Sequence, residues 1–394
     1  MKNDTVADTN FKLNNSLVLV MAITCGVTVA NLYYIQPLLS EIARVFGVNE
    51  VSIGFVAMLT QIGYAVGMFF LLPLADIREK RFMIVTLLIC AACSLMLMSY
   101  SFNIKFVAIA SFAIGFTSVV PQLMVPLSAE LADPKVRGKI IGTVFSGLLI
   151  GILLSRTFSG IVGEHFGWRV VYFIASIMML ILAVTVKLLV PICKPTSKLK
   201  YGQLMKSMGT LVKTQPVLRE AAFNGAMMFA AFSILWTSLT FLLESSHYHM
   251  GAEVAGLFGL VGIAGALASP SVGRIADKKS PKFTIGIAII ITIIAYIFFL
   301  VFGFKIWGLI IGVILLDLGV QSCQVSNQAR IQALDGKARN RINTVFMVSY
   351  FIGGALGSFF SSYSYLHFGW IGVCLLGLIT QVAALIGYKL GKTK

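Results

Sequence analysis

Long apolar runs recur along the whole chain and are separated by short polar stretches. Twelve can be counted, at 17–39, 51–74, 82–101, 106–129, 138–162, 169–191, 221–243, 253–273, 283–302, 306–328, 342–364 and 369–390. Most approach the ~20 residues that carry a helix across the hydrocarbon core of a bilayer. None alternates apolar with polar positions in the ~10-residue segments of an outer-membrane barrel. The pattern predicts an all-α membrane protein of twelve transmembrane helices, here spans 1 to 12.

Composition agrees and adds an orientation. Hydrophobic residues make up 58% of the chain and charged residues 12%, about half the ~25% of a soluble domain. Such a chain cannot cover a soluble surface, and lipid is expected to be its main solvent. The first run is too long, and follows too polar a tail, to read as a cleaved signal peptide. A net charge of +16 would point to nucleic acid in a soluble protein, but its placement gives another cause, and no nucleic-acid partner is expected. The even-numbered loops between spans hold Arg78, Lys80 and Arg81; Lys135, Arg137 and Lys139; Lys194, Lys198, Lys200, Lys206, Lys213 and Arg219; Arg274, Lys278, Lys279 and Lys282; and Arg330, Lys337, Arg339 and Arg341. The odd loops hold only Arg44, Lys105, Arg169 and Lys305. Basic loops stay in the cytoplasm, so both termini of this multi-pass inner-membrane protein are expected there. Of the six cysteines, Cys90 and Cys93 form a CxxC, but within an apolar run and without His or acid nearby. They read as small packing residues, and neither metal nor cofactor is expected.

The string HFGW occurs at His165–Trp168 and again at His367–Trp370, 202 positions on. Two further matches share that spacing. LADIREKR (Leu74–Arg81) and IADKKSPK (Ile275–Lys282) place Asp76 and Asp277 201 apart, and DPKVRGK (Asp133–Lys139) and DGKARNR (Asp335–Arg341) are offset by 202. The chain is therefore a tandem duplication of a six-span unit: residues 1–193, a basic linker at 194–219, and residues 220–394. Six is even, so the halves run parallel, related by an axis along the membrane normal. Spans 2, 5, 8 and 11 carry glycines at close spacing: Gly63 and Gly67; Gly147 and Gly151; Gly259, Gly262 and Gly265; Gly353, Gly354 and Gly357. Such residues let helices approach closely in lipid, and these four spans are expected to form the interface between halves.

Twelve spans in two parallel halves, a long basic linker and acidic-basic loops after spans 2 and 8 resemble the major facilitator superfamily over essentially the whole chain. That family's loop motif, roughly G-x-L-A-D-x-x-G-R-K, appears as LPLADIREKR, with Asp76, Lys80 and Arg81 matching and Leu72 and Glu79 in place of glycines. GRIADKK keeps Gly273, Arg274 and Asp277. NLYYIQPLL in span 1 and GILLSRTFSG in span 5 are similar to the bacterial drug and metabolite proton antiporters. The resemblance implies alternating access, a monomer, a cavity lined by spans 1, 4, 7 and 10, and gating by Asp76, Lys80, Arg81, Arg274 and Asp277, with Asp76 facing the N-terminus of span 11. Two features depart from it. Ser111 stands four residues before Gly115, where those antiporters carry an Arg. The span 5 motif keeps Gly147 and Gly151 but has Ile152, Ser155 and Arg156 where a proline and glycines are usual.

Ionisable groups inside a bilayer are costly unless paired or hydrated, so Arg156 in span 5 and Asp317 in span 10 stand out as candidates for proton coupling. Asp317, Gln321, Gln324 and Gln328 follow at helical spacing and form one polar stripe, which must face protein or water. Three roles are open to Arg156: a partner for Asp317, a ligand for an anionic substrate, or a strut to carbonyls and other polar groups. Asn31 and Tyr34 in span 1, Gln122 between Pro121 and Pro126 in span 4, and Asn224 and Trp236 in span 7 complete a candidate substrate cavity with Gln321 and Gln324. Gln36 and Pro37 lie near the outer end of span 1. A cavity of amides, phenols and one acid suits a polar or amphipathic organic solute better than a bare metal ion. No Walker loop is present to drive primary pumping, and no HExxH motif or intramembrane catalytic pair points to an enzyme. The expected function is secondary active transport, proton-coupled efflux of a drug, metabolite or siderophore. Its rival is proton symport or facilitated uptake; a membrane sensor or intramembrane enzyme fits less.

Overall fold

The computed structural model describes residues 14–133, 136–193, 195, 200–262, 280–334 and 338–391. Among them every regular element is a helix. Span 1 is made of α1 (Asn15–Ala30) and α2 (Ile35–Phe46), followed by α3 (Glu50–Ala75) and α4 (Lys80–Ser99). Span 4 is likewise two pieces, α5 (Ile104–Thr117) and α6 (Val120–Leu131), and α7 (Arg137–Phe166) and α8 (Trp168–Leu189) close the first half. The linker folds into α9 (Tyr201–Thr214) and leads to α10 (Pro216–Glu244). In the second half α11 is described over Ala252–Gly262, followed by α12 (Pro281–Phe302), α13 (Ile306–Gln332) and α14 (Arg339–Leu390). If straight, the 52 residues of α14 would run ~78 Å at 1.5 Å per residue, far beyond a ~30 Å core. It is broken at Gly369 and supplies spans 11 and 12. Residues 263–279, with the expected gating residues Arg274 and Asp277 and with Gly265, lie outside the described residues. Below, the end of the bundle that carries the even loops is the basic end, and the other is the distal end.

The HFGW repeat marks two equivalent corners at the distal end. Gly167 (φ 85, ψ 151) and Gly369 (φ 61, ψ −156) each turn the chain from one span into the next. That backbone region is nearly closed to any residue with a Cβ. The tryptophan that follows each is buried. Trp370 donates its indole N–H to the Phe299 carbonyl at 2.9 Å. Trp168 is held through its backbone N–H, which donates to Glu41 Oε1 at 3.2 Å.

Most of the described row glycines pack within one half rather than across the interface. A Cβ on Gly63 or Gly67 would strike the α5 backbone at Phe112 and Phe116, and one on Gly147 or Gly151 would strike α1 at Ala22 and Gly26. One on Gly353 or Gly357 would strike α10 at Ala226 and Ala230. These rows join helices within one half, because lipid offers no hydrophobic drive between helices and close approach has to hold each bundle together. The expected helices do form the interface, through Gly160 and Gly256, which lie outside the rows, and through Gly259 and Gly354 from within them. Gly160 on α7 meets Gly256 on α11, Gly259 lies over Arg156, and Gly354 faces Gln61. A polar cluster spans the same seam. Gln61 Nε2 donates to Ser358 Oγ at 2.7 Å, and Ser233 Oγ donates to Gln61 Oε1 at 3.3 Å.

Candidate functional site

Two spans are interrupted inside the first half. Residues 31–34 form turns between α1 and α2, and the chain breaks between α5 and α6 just before Pro121. Pro37 and Pro121 each fall in the first turn of the second piece, where a missing N–H costs no helical hydrogen bond. Asn31 Nδ2 donates to Ser118 Oγ at 3.3 Å and so ties the two breaks together. Tyr34 packs its ring against Phe158, with centroids 5.7 Å apart. Both residues lie outside the cavity lining; the turn presents Tyr33 to the cavity instead.

The cavity has a volume of about 400 Å³. Its aromatic lining is Tyr33, Tyr64, Phe145, Phe229, Phe232, Tyr350 and Phe351, and its amides are Gln122, Gln321, Gln324, Gln328, Gln332, Asn340 and Asn343. None of the described lining residues is charged. The amides are held by neighbours. Gln122 Nε2 donates to the Tyr64 hydroxyl at 3.4 Å, the Tyr350 hydroxyl donates to Gln324 Oε1 at 3.3 Å, and Gln328 Nε2 donates to Asn343 Oδ1 at 2.9 Å. The stripe on α13 therefore faces the cavity from Gln321 onward. Ring faces beside amide donors and acceptors suit a planar or amphipathic organic molecule.

Beyond Tyr33 and Phe232 lies Arg156, fully buried. Its guanidinium carbon stands 3.9 Å from the Trp236 ring centroid, 4.9 Å from Tyr33 and 5.2 Å from Phe232. Its Nε donates to Gln36 Oε1 at 2.7 Å, while both terminal nitrogens lack a hydrogen-bond partner. Asp317 is 1% exposed, and its Oδ2 also lacks a partner. The two side chains form no direct ion pair. They flank successive turns of α11, where Gly259 lies against Arg156 and Gly262 against the Asp317 carboxylate. Gln36 and the three rings supply part of a strut, yet two N–H-bearing nitrogens and one carboxylate oxygen stay free in a low-dielectric interior. Leaving such groups unsatisfied is expensive; chemically, the carboxylate can accept a proton and the guanidinium can hold an anionic or polar group.

Trp236 thus serves Arg156 rather than the cavity wall. Asn224 is buried on α10 but faces Gly387 in the last part of α14, outside the lining. Tyr33, Tyr64, Phe229 and Tyr350 had no distinguishing sequence signal, being aromatic residues in apolar runs.

Among the gating candidates, Lys80 is 5% exposed and binds both carboxylate oxygens of Glu130. Arg81 donates to the carbonyls of Lys187 (3.4 Å) and Val190 (3.2 Å) at the C-terminal end of α8, where a cation complements the helix dipole. Both therefore serve helix ends of their own half and do not reach the other. Glu79 caps α4 by accepting from the N–H groups of Arg81 and Phe82. Of the described candidates, Asp76 reaches across, accepting from Asn340 Nδ2 in the first turn of α14 at 3.5 Å. Burial pushes the Asp76 carboxyl above its ordinary value, with the Asn340 hydrogen bond opposing. Arg330 and Glu220, which sequence reasoning did not pair, form a buried two-pronged ion pair between α13 and α10 at 3.0 and 3.1 Å.

At the distal end the contacts cross between halves. Arg44 pairs with Glu244 at 2.6 Å, and Glu164 Oε2 accepts from the Ala252 N–H at the start of α11 at 2.9 Å. Thr157 donates to the Gly256 carbonyl at 3.1 Å, and Thr240 donates to the Gln36 carbonyl at 2.9 Å.

Two parallel six-span halves around a central cavity narrow the choice of family, and a match decides it: residues 21–358 match the family model of the Major Facilitator Superfamily. The chain belongs to the major facilitator superfamily. This superfamily member is 40% identical over 377 residues to the transporter YgaY of Escherichia coli O157:H7, covering 96% of each chain. It is 31% identical over 355 residues to the transporter SCO4007 of Streptomyces coelicolor, covering 90% of this chain and 82% of the relative. Its fold is similar to that of a bacterial homolog of the human lysosomal transporter Spinster, solved inward-facing and unoccupied. The TM-score is 0.74 over 94% of this chain and 95% of that one, at 16% identity. Like its relatives in the superfamily, the chain is a membrane-spanning transporter.

Proposed function

We propose that this transporter exports a small polar or amphipathic organic solute across the inner membrane in exchange for protons, acting as a monomer. The observation that carries the reading is the pair of buried, unpaired charges beside an uncharged cavity of rings and amides. The cavity takes the solute through ring stacking and amide hydrogen bonds. The Asp317 carboxylate, desolvated and with a free oxygen, takes the proton. Arg156 is held in place by Gln36 and Trp236 and keeps two nitrogens free for the opposing charge or an anionic group on the solute.

The basic loops support a cytoplasmic basic end, with both termini on that side. With the distal contacts closed and the cavity lined down to Gln332, Asn340 and Asn343 at the basic end, the conformation reads as inward-facing. Proton symport or facilitated uptake is the second reading. It is favoured by Ser111, which stands where the antiporters carry an Arg and is buried with its hydroxyl unpartnered.

Proteoliposome counterflow with a panel of drugs, siderophores, nucleosides and amino acids identifies the solute. With that solute, Asp317→Asn is expected to abolish transport driven by a pH gradient while leaving solute exchange measurable. Gradient-driven transport by Asp317→Asn at the wild-type rate would remove Asp317 from coupling. Accumulation on the side from which protons leave would favour antiport, and accumulation on the side they enter would favour symport.

A further inference from the structure

We infer that the groove beneath the linker helix, between α9, α10 and α14, is a binding site for an anionic phospholipid. The groove has a volume of about 400 Å³ and lies where the two halves' linker returns to the membrane. Its wall is apolar: Leu218, Ala222 and Phe223 on α10, and Ile352 and Leu356 on α14. Phe223, Ile352 and Leu356 are 44%, 41% and 46% exposed, so the groove opens towards the acyl chains rather than towards water. An acyl chain gains by lying in it.

The roof supplies the charge. Leu204 and Met208 are buried and fasten α9 to the bundle, leaving Lys206 and Lys213 exposed. Arg219 folds back beneath them and donates to the carbonyls of Val212 (3.0 Å) and Lys213 (2.7 Å). Its guanidinium carries positive charge to the groove, which both Val212 and Arg219 line. Residues 194–219 contain six cations and no acid. An apolar slot lined at one end by Arg219 and lying under an acid-free basic linker complements a chain with a phosphate at its head better than one with a neutral headgroup. Each cation near a membrane surface is worth about fivefold in affinity for anionic lipid.

The site bears on a strap between the halves. The Tyr201 hydroxyl donates to the Phe70 carbonyl on α3 at 3.0 Å, and Arg341 donates to Ser207 Oγ from α14 at 2.8 Å. A lipid lodged under α9 fixes that strap against the second half. The inference does not depend on the solute or on the direction of transport.

The test is native mass spectrometry of the full chain with phosphatidylglycerol and phosphatidylcholine of identical acyl chains in competition, alongside thermal unfolding with each. Preferential retention of phosphatidylglycerol, with a larger rise in Tm, is expected. The Lys213→Gln, Arg219→Gln double variant is expected to lose that preference by roughly thirtyfold, from two cations at about fivefold each. Ile352→Trp, which fills the groove at an exposed position, is expected to weaken retention of both lipids. Equal retention of the two lipids by the wild type would overturn the inference without recourse to any variant. Full preference in the double variant would also overturn it, as would the same stabilisation by glycerol phosphate alone, or a second copy of the chain in place of the lipid.

Discussion

The two ends of the seam between the halves are built differently. At the distal end, side chains and backbone reach from one half to the other: Arg44 to Glu244, Glu164 to the start of α11, Thr240 to Gln36, and Gly160 against Gly256. At the basic end the charges turn inward to their own half. Lys80 binds Glu130, Arg81 caps α8, Arg330 binds Glu220, and Lys282 donates to the Gly391 carbonyl. Among the described residues, the long Asp76–Asn340 hydrogen bond crosses there, and the linker helix bridges the halves beside it. The difference teaches where the work of switching falls. Among the described residues, parting the distal end breaks several side-chain contacts between the halves, more than are seen at the basic end. Among the distal contacts, burial decides rank. Arg44 is 73% exposed in its side chain, so its ion pair contributes ~0–1 kcal/mol. The helix approach at Gly160 and Gly256 admits no side chain at all and should dominate.

The largest effect is therefore expected from Gly256→Leu. Its side chain would meet the Arg156 carbonyl and Gly160, forcing the distal ends apart and stopping transport. Spin-label distances across that end should lengthen; unchanged distances would break the comparison at its strongest point.

Arg156→Ala comes next. It removes a desolvated cation stacked on three rings, an interaction worth ~2 kcal/mol or more, and should lower Tm clearly. Although Arg156 and Asp317 form no direct ion pair, their opposite charges interact within one buried interior, so the losses from Arg156→Ala and Asp317→Ala should couple in a thermal-shift cycle, but by less than the ~3–5 kcal/mol cost of breaking a direct buried pair. A larger coupling would show that they pair in the opposite conformation.

Glu244→Gln should cost under ~1 kcal/mol and lose its effect in high salt. A larger, salt-resistant loss would mean that charge, not helix approach, holds the distal end.

The smallest effect is expected from Asp76→Asn. The folded carboxyl is raised above its ordinary value of 3.8, so its ionised form is penalised. That penalty is absent below the ordinary value and grows as pH rises through the raised one. The Asn variant should be slightly more stable than wild type at pH 7 and no different near pH 3.5. A loss at pH 7 would mark the charge as a favourable clamp.

Much of the frame could be read before any coordinates. Runs of apolar residues gave the spans, and the HFGW repeat marked two corners where only glycine fits the backbone. The glycine rows were legible as spacing but not as partners, since a small residue says that something comes close and not which helix it is. Asn31 and Tyr34 were misplaced because the turn at 31–34 resets the helical phase, and each residue of a helix is turned ~100° from the last. Lys80 and Arg81 looked like gates because loop charges cannot reveal that helix ends of the same half already claim them. Arg156 and Asp317 stood out because charge inside a span is rare. The rings that make the cavity did not, because aromatic residues in lipid are common.

Gln36 joins three parts of the molecule at one residue. Its side chain holds Arg156 and its carbonyl holds Thr240 of the other half, and it sits at the start of α2, just past the non-helical joint at 31–34. The short rod of α2 is thus joined to α1 by a break in span 1 and tied at its first turn to α10, so a movement of the second half would be passed to it. When the second half swings, Tyr33, the joint's cavity-facing ring, turns with it. The floor of the cavity would then be reshaped by the same stroke that moves the distal end, whichever way the solute travels.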